Sequence, residues 1–450
     1  MRSDPAADLA GHLAMARFGG FHSRLIALCF LIAAVDVFDT QCISFVAPTL
    51  LQEWGLSRAA FGPLFSAGLF GTMLGAMTLG PAADRFGRKP VALACVILFG
   101  VMSLLSARAD SPQMLGTLRF IGGIGLGGVI PNIIALVSEY SPQRHRATTV
   151  VAMFVGFPLG AMAGGAISHD IIDRHGWQAI FILGGVLPLA LALVAAFMLP
   201  ESARFLAQRG RHQALQRILA RIGTSPEAEL ERRPAETAHE HRKSTTVGML
   251  FTGDLRTWTL LLWLLSFLGM LLTYFLINWT PLLLVAAGVP QENAIMAVVL
   301  LNAGGVAGGL LIGRLLDRVS VFAVLALAFG LGAIAVYALG ATLSTGLTLT
   351  LTMTAVTGFT LFGGQMNFPG LTANYYPVQV RSTGAGWAMA FGRMGSVIGP
   401  LAGGALVTMQ LDTAQMLELS AIPAVLAAIV LLILARACPE RGSRNVNPDR

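Results

Sequence analysis

Charge is what this 450-residue chain has least of: Asp, Glu, Lys and Arg together make up 12% of it, against roughly 25% in soluble globular domains. That deficit excludes an ordinary water-facing surface. Cysteine is nearly as scarce. Cys29, Cys42 and Cys95 fall inside apolar runs and Cys438 in the C-terminal tail, so there is neither a disulfide framework nor metal-ligand spacing. They read as small core residues, and no cofactor or metal is expected. A cleavable leader is not expected: the first apolar stretch starts after Arg24, exceeds 20 residues and carries two acids, unlike a signal peptide. The N-terminus is expected to stay attached. No His/Asp or Ser/His cluster lies near an interface, so an enzyme is not expected.

What the chain has in abundance is apolar length. Fifty-five per cent of 450 residues is hydrophobic, and twelve spans of roughly 20 residues would consume nearly all of it. Runs between charged or Pro/Gly-rich breaks fall at approximately 25–47, 62–82, 90–107, 114–138, 149–171 and 178–199, then 258–285, 294–315, 321–341, 347–373, 384–407 and 417–435. The predicted fold class is an all-α membrane protein with twelve transmembrane helices in two six-helix pseudo-repeats. The predicted segments are an N-tail at 1–24, a first half at 25–199, a central linker at 200–256, a second half at 257–435 and a C-tail at 436–450. The linker holds an amphipathic run, Ala203–Ile222, and an acidic, proline-interrupted piece, Pro226–Glu240. It is too short for a core of its own.

A net charge of +7 would suggest a nucleic-acid partner in a soluble chain. Here 25 of the 30 basic residues fall in alternate loops and tails, and only Arg58, Arg108 and Arg174 in the others. By the positive-inside rule both termini are cytoplasmic, and the basic residues face lipid headgroups rather than nucleic acid. The expected location is the cell inner membrane, multi-pass, as a monomer.

Two motifs recur. Gly80-x-x-x-Asp84-Arg85 is echoed by Gly313-x-x-x-Asp317-Arg318, and Glu139-Tyr140-Ser141-Pro142-x-x-x-Arg146 by Asn374-Tyr375-Tyr376-Pro377-x-x-x-Arg381, at offsets of 233 and 235. Composition alone does not repeat two unrelated strings at one spacing. Parallel repeats flanking a site near mid-membrane are the expected consequence.

Ionisable residues inside the spans are few. Asp36 and Asp39 lie about mid-membrane in the first span, three residues apart on one helical face. Arg119 lies in the fourth span and Arg393 in the eleventh. Each costs about 2.5–3.5 kcal/mol at a helix centre, so they should pair or face water or substrate. Neighbouring carboxylates in low dielectric resist double ionisation, so one readily takes up a proton. An arginine binds a carboxylate in bidentate fashion. The set fits a proton-coupled carrier of an organic anion, and it does not divide the arginines between holding the acids and holding the substrate.

The string Gly80-Pro81-Ala82-Ala83-Asp84-Arg85-Phe86-Gly87-Arg88-Lys89-Pro90 closely resembles the loop between helices two and three of the major facilitator superfamily, and its echo and the six-plus-six layout extend the resemblance over nearly the whole chain. The resemblance implies that Asp84, Arg85 and Arg88, with Asp317 and Arg318 in the echo, form a gating latch. Physically, an acid ending one span can sit at the N-terminus of a neighbouring helix.

Asp36-Val37-Phe38-Asp39-Thr40, with Ala47-Pro48, Arg119-Phe120-x-Gly122-x-x-Gly125-x-Gly127-x-x-x-Pro131-Asn132, Pro200-Glu201-Ser202-Ala203-Arg204-Phe205-Leu206 and Asn278-Trp279-x-Pro281-Leu282-Leu283, resembles the aromatic acid:proton symporters. Val37 stands where that branch usually has glycine. The resemblance implies proton-coupled uptake of an aromatic carboxylate of the benzoate, hydroxybenzoate or phenylpropionate type, powered by the proton gradient. Tyr274, Asn278, Trp279, Asn302, Gln365 and Asn367 are candidates to meet the ring and its polar groups, and His169-Asp170 is a candidate proton-entry pair. The competing readings are transport of another organic anion, drug/proton efflux, and a transport-like membrane sensor. Against efflux, Gly399-Pro400-x-x-Gly403-Gly404 resembles an antiporter pattern but sits in the eleventh span, whereas antiporters carry theirs in the fifth.

Overall fold

The computed structural model describes residues 18–222, 247–253, 255–316, 318–343, 345–377 and 380–437. Among them are twelve helices long and apolar enough to cross a membrane. Six precede the linker: α1 (Gly20–Glu53), α2 (Arg58–Phe86), α3 (Arg88–Ser106), α4 (Pro112–Tyr140), α5 (Thr148–His175) and α6 (Gln178–Met198). Six follow: α7 (Leu255–Ala286), α8 (Gln291–Leu316), α9 (Val321–Thr342), α10 (Leu347–Thr372), α11 (Thr383–Thr408) and α12 (Thr413–Arg436). The all-α class and the twelve spans are as expected.

Several helices outrun their apolar runs. The 34 residues of α1 extend roughly 51 Å at 1.5 Å per residue, well beyond a ~30 Å hydrocarbon core. Polar residues mark where the apolar core ends, and the helix itself continues until Gly55, at φ +60°, ends it. Several helices are irregular. In α5 the pieces Arg146–Phe154 and Gly156–His175 meet at Val155, and α10 carries a π turn at Gly358–Phe362. In the linker the amphipathic run forms two short helices, Ala203–Gln208 and His212–Ile222, separated where Gly210 adopts φ +66°. Leu206 and Ile222 are buried. The piece Pro226–Glu240 lies outside the described residues.

The chain resolves into two compact units that cut through α1, α2 and α5. The first includes α1 up to Thr40, α2 from Gly71, α3, α4, α5 up to Gly160, and α6. Its helices approach closely because glycines face backbone. A Cβ built on Gly127 of α4 would overlap the Thr72 carbonyl of α2 and lie 2.7 Å from the Ala76 nitrogen, which bears out close packing by the fourth-span glycines.

The second unit includes Gln41–Phe70, Ala161–Trp177 and α7 to α12. Hydrogen bonds join its segments: Ser44 Oγ donates to Asn278 Oδ1 at 3.0 Å, Ser66 Oγ to the Val397 carbonyl at 2.7 Å, and Gln291 Nε2 to Thr49 Oγ1 at 2.9 Å. Trp279 is fully buried, edge-on to Phe65, and donates Nε1–H to the Pro400 carbonyl at 3.0 Å. It is a packing residue rather than an interfacial anchor.

Candidate functional site

In the first unit Arg119 is paired with Asp39. Asp36 and Asp39 are 5% and 0% exposed, and Arg119 is 4% exposed. Arg119 Nη2 donates to Asp39 Oδ2, Nη1 reaches the Asp39 carbonyl at 3.4 Å, and the guanidinium stands 5.5 Å from the Phe181 ring centre. Asp39 Oδ1 accepts no hydrogen bond. A buried pair of this kind is a weak source of stability when intact but expensive to break. It also leaves one carboxylate oxygen where a proton can be added.

In the second unit Arg393 is half-buried and, among the described residues, has no carboxylate partner. Helical geometry fixes its direction. Gly392, Gly395 and Gly399 of α11 abut Ser266, Phe267 and Leu271 of α7, while Gly404 and Pro400 approach Gly62. Arg393 precedes Pro400 by 7 residues and Gly404 by 11, close to two and three turns. It therefore shares their face and not the face packed on α7.

The other candidates of this unit separate by what their amides already do. Asn278 donates to the Tyr274 carbonyl at 2.7 Å and accepts from Ser44; Asn302 donates to the Val298 carbonyl at 2.9 Å; Asn367 donates to the Gly363 and Gly309 carbonyls at 2.9 and 3.2 Å. These amides hold helix backbone. Gln365 Oε1 is buried and has no hydrogen-bond partner. Tyr274 is half-buried on α7. His169 Nε2 lies 3.9 Å from Glu292 Oε2, so its partner in this conformation comes from α8.

The latch residues form a larger cluster than the motif indicates. Gly87, at φ +103°, precedes α3 and offers no side-chain cap. Glu201 supplies it: Oε1 accepts from the Arg88 and Lys89 nitrogens at 2.8 and 3.2 Å, and a Cβ on Gly87 would collide with that carboxylate. The acid at this helix N-terminus is therefore Glu201 and not Asp84. Asp84 is 75% exposed and 3.8 Å from Arg88, whose Nη1 bonds Glu139 Oε2 at 2.9 Å. Glu139 also accepts from Ser202 Oγ and the Arg204 nitrogen, and the Tyr140 hydroxyl donates to the Glu201 carbonyl. The Arg85 carbonyl accepts from Arg209 Nη2 at 2.7 Å. Arg318 is exposed, and Asp317 lies outside the described residues.

With the helices and these sites in place, comparison with known proteins is decisive. The profile of the Major Facilitator Superfamily matches residues 29–400 and 303–450. The chain belongs to this superfamily. A gallate transporter of Pseudomonas putida is 39% identical over 91% of this chain and 90% of its own length, and the 4-hydroxybenzoate transporter PcaK of Pseudomonas aeruginosa is 38% identical over 91% and 92%. The crystal structure of a D-xylose-proton symporter superposes with a TM-score of 0.71 at 17% identity, covering 92% of this chain and 97% of that one. As a member of the superfamily the protein is a multi-pass membrane transporter and not an enzyme.

Sequence reading of this facilitator underweighted two residues. Glu201 was visible only within a Pro-Glu-Ser string, and nothing local shows that it caps a helix more than 100 residues earlier. Glu139 was visible as the acid of a repeated motif, without its link to Arg88. A groove of about 680 Å³ lined by Phe18, Ser23, Phe30, His145, Thr149 and neighbours contains none of the candidate site residues.

Proposed function

We propose that this facilitator takes up an aromatic carboxylic acid, of the benzoate, hydroxybenzoate or phenylpropionate type, together with protons, by alternating access across the cell inner membrane with both termini cytoplasmic. The observation that carries the reading is the unequal state of the two intramembrane arginines. Arg119 is engaged by Asp39, and Arg393 has no carboxylate partner among the described residues. Arg393 is assigned to the substrate carboxylate, because a guanidinium offers a planar fork that fits it. Arg119 is assigned to Asp39, and the pair acts as the proton-responsive element: a proton arriving on Asp39 cancels its charge and releases Arg119 from its counter-ion. Asp36, one turn away on the same face, is the second acid of this relay. The gallate and 4-hydroxybenzoate transporters among its relatives support the substrate class.

In this scheme the cluster of Asp84, Arg85, Arg88, Glu139 and Glu201, with Asp317 and Arg318 in the second repeat, is a latch broken and remade in each cycle. No cofactor enters it, and the proton gradient supplies the energy.

The test is uptake of radiolabelled 4-hydroxybenzoate into proteoliposomes with an imposed pH gradient, acid outside. Wild type should accumulate the acid, and the double variant Asp36→Asn/Asp39→Asn should lose gradient-driven accumulation. Arg393→Gln should raise the half-saturating concentration by about tenfold or more, as loss of a charge-assisted bond of about 1.5–3 kcal/mol requires. Unimpaired gradient-driven transport by the double aspartate variant would overturn the proton assignment. Accumulation of lipophilic cations or aliphatic dicarboxylates in place of aromatic acids would overturn the substrate class.

A further inference from the structure

We propose that the side-chain amide of Gln365 reads a ring hydroxyl on the substrate, so that this carrier selects hydroxylated aromatic acids over unsubstituted ones. The inference rests on the aromatic-acid reading above and deepens it.

The argument begins with the backbone. Helix α10 runs regularly from Leu347 to Thr357, passes through the π turn Gly358–Phe362, and resumes at Gly363–Met366. A π turn adds a residue to one turn, which rotates every later side chain about the axis by roughly 100° relative to an uninterrupted helix. Gln365 is the first long polar side chain after that rotation. Its amide lies over Gly269 of α7, where a Cβ would overlap Oε1 and approach Cδ to 2.8 Å. The missing side chain on α7 is what makes room for the amide.

The second step concerns what the amide lacks. Gln365 Oε1 is buried and accepts no hydrogen bond, a state that native structures seldom tolerate without a reason. The neighbouring candidates Asn278, Asn302 and Asn367 are each occupied by backbone carbonyls. Gln365 therefore presents a buried acceptor that calls for a donor. A phenolic O–H supplies one, and the C–H edge of an unsubstituted ring does not.

The third step is placement relative to the charge. Gly392, next to Arg393, abuts Ser266 Oγ and lies 3.2 Å, as a built Cβ, from Met270 Cγ, while Gln365 covers Gly269. Arg393 and Gln365 thus belong to α11 and α10 at the same turn of α7, Ser266–Met270. The proposal requires that an aromatic acid whose carboxylate meets Arg393 lie across this turn with its ring hydroxyl toward α10.

The test uses the purified full-length transporter in lipid nanodiscs and competition binding with benzoate, 4-hydroxybenzoate and 3,4,5-trihydroxybenzoate. Wild type should favour the hydroxylated acids over benzoate by about tenfold or more, since a site with a buried polar group discriminates against the ligand that leaves it unpaired. In Gln365→Leu that ratio should fall by about tenfold. Gly269→Ala keeps the glutamine but displaces its flexible end, and should lower the ratio in the same direction, which keeps the test decisive if the leucine variant does not fold. A ratio unchanged in both variants, or equal losses for all three acids, would overturn the hydroxyl-reading role. Failure of wild type to bind any of the three would instead overturn the aromatic-acid reading beneath it.

Discussion

Removing one member of the Asp39–Arg119 pair should be far more costly than removing both. Arg119→Gln leaves the Asp39 carboxylate, fully shielded from solvent, without its counter-ion, a situation that costs about 3–5 kcal/mol. Asp39→Asn leaves a buried guanidinium that cannot shed its proton, although the Phe181 face and the Asp39 carbonyl remain as partners; a cation–π contact of this kind offsets about 0.5–2 kcal/mol. The asparagine variant should therefore lose less, about 2–4 kcal/mol. In Asp39→Asn/Arg119→Gln two neutral amides replace the pair and no charge is buried. The double variant should lie within about 2 kcal/mol of wild type, giving a coupling of about 3 kcal/mol or more, at the upper end for residues in contact. The assay is reversible unfolding in mixed micelles titrated with sodium dodecyl sulfate, followed by tryptophan fluorescence. Additive single-variant costs would refute the reasoning.

Two further outcomes follow from the packing. Gly127→Ala places a methyl group against the Thr72 carbonyl and the Ala76 nitrogen, backbone atoms that yield only if α2 and α4 separate. It should lose about 1–3 kcal/mol and melt earlier in fluorescence-detected size exclusion, while Gly80→Ala, with nothing within 4 Å of the new carbon, should melt at or above wild type because alanine favours helix. Glu201→Gln removes the charged acceptor at the start of α3 and should cost about 1–2 kcal/mol. Hydrogen exchange at the Arg88 and Lys89 amides should then quicken by about 5–30-fold, and unchanged protection there would show that Glu201 does not cap the helix.

The twelve spans were legible because hydrocarbon imposes one requirement, an unbroken apolar run about 20 residues long, and the sequence meets it visibly. Helix ends were not, since α1 passes through its flanking polar residues and stops at Gly55. Asp36, Asp39, Arg119 and Arg393 stood out because charge is rare within spans. The pairing of Asp39 with Arg119 was not visible, because the two are 80 residues apart and pairing between separate helices leaves no local pattern. The π turn in α10 left none either, so Gln365, Asn302 and Asn367 looked equivalent although only the last two have their amides tied to backbone. Likewise the second repeat has Asn374 where the first has Glu139. That substitution removes the acid that engages Arg88 in the first repeat, so the repeated string does not repeat that ion pair.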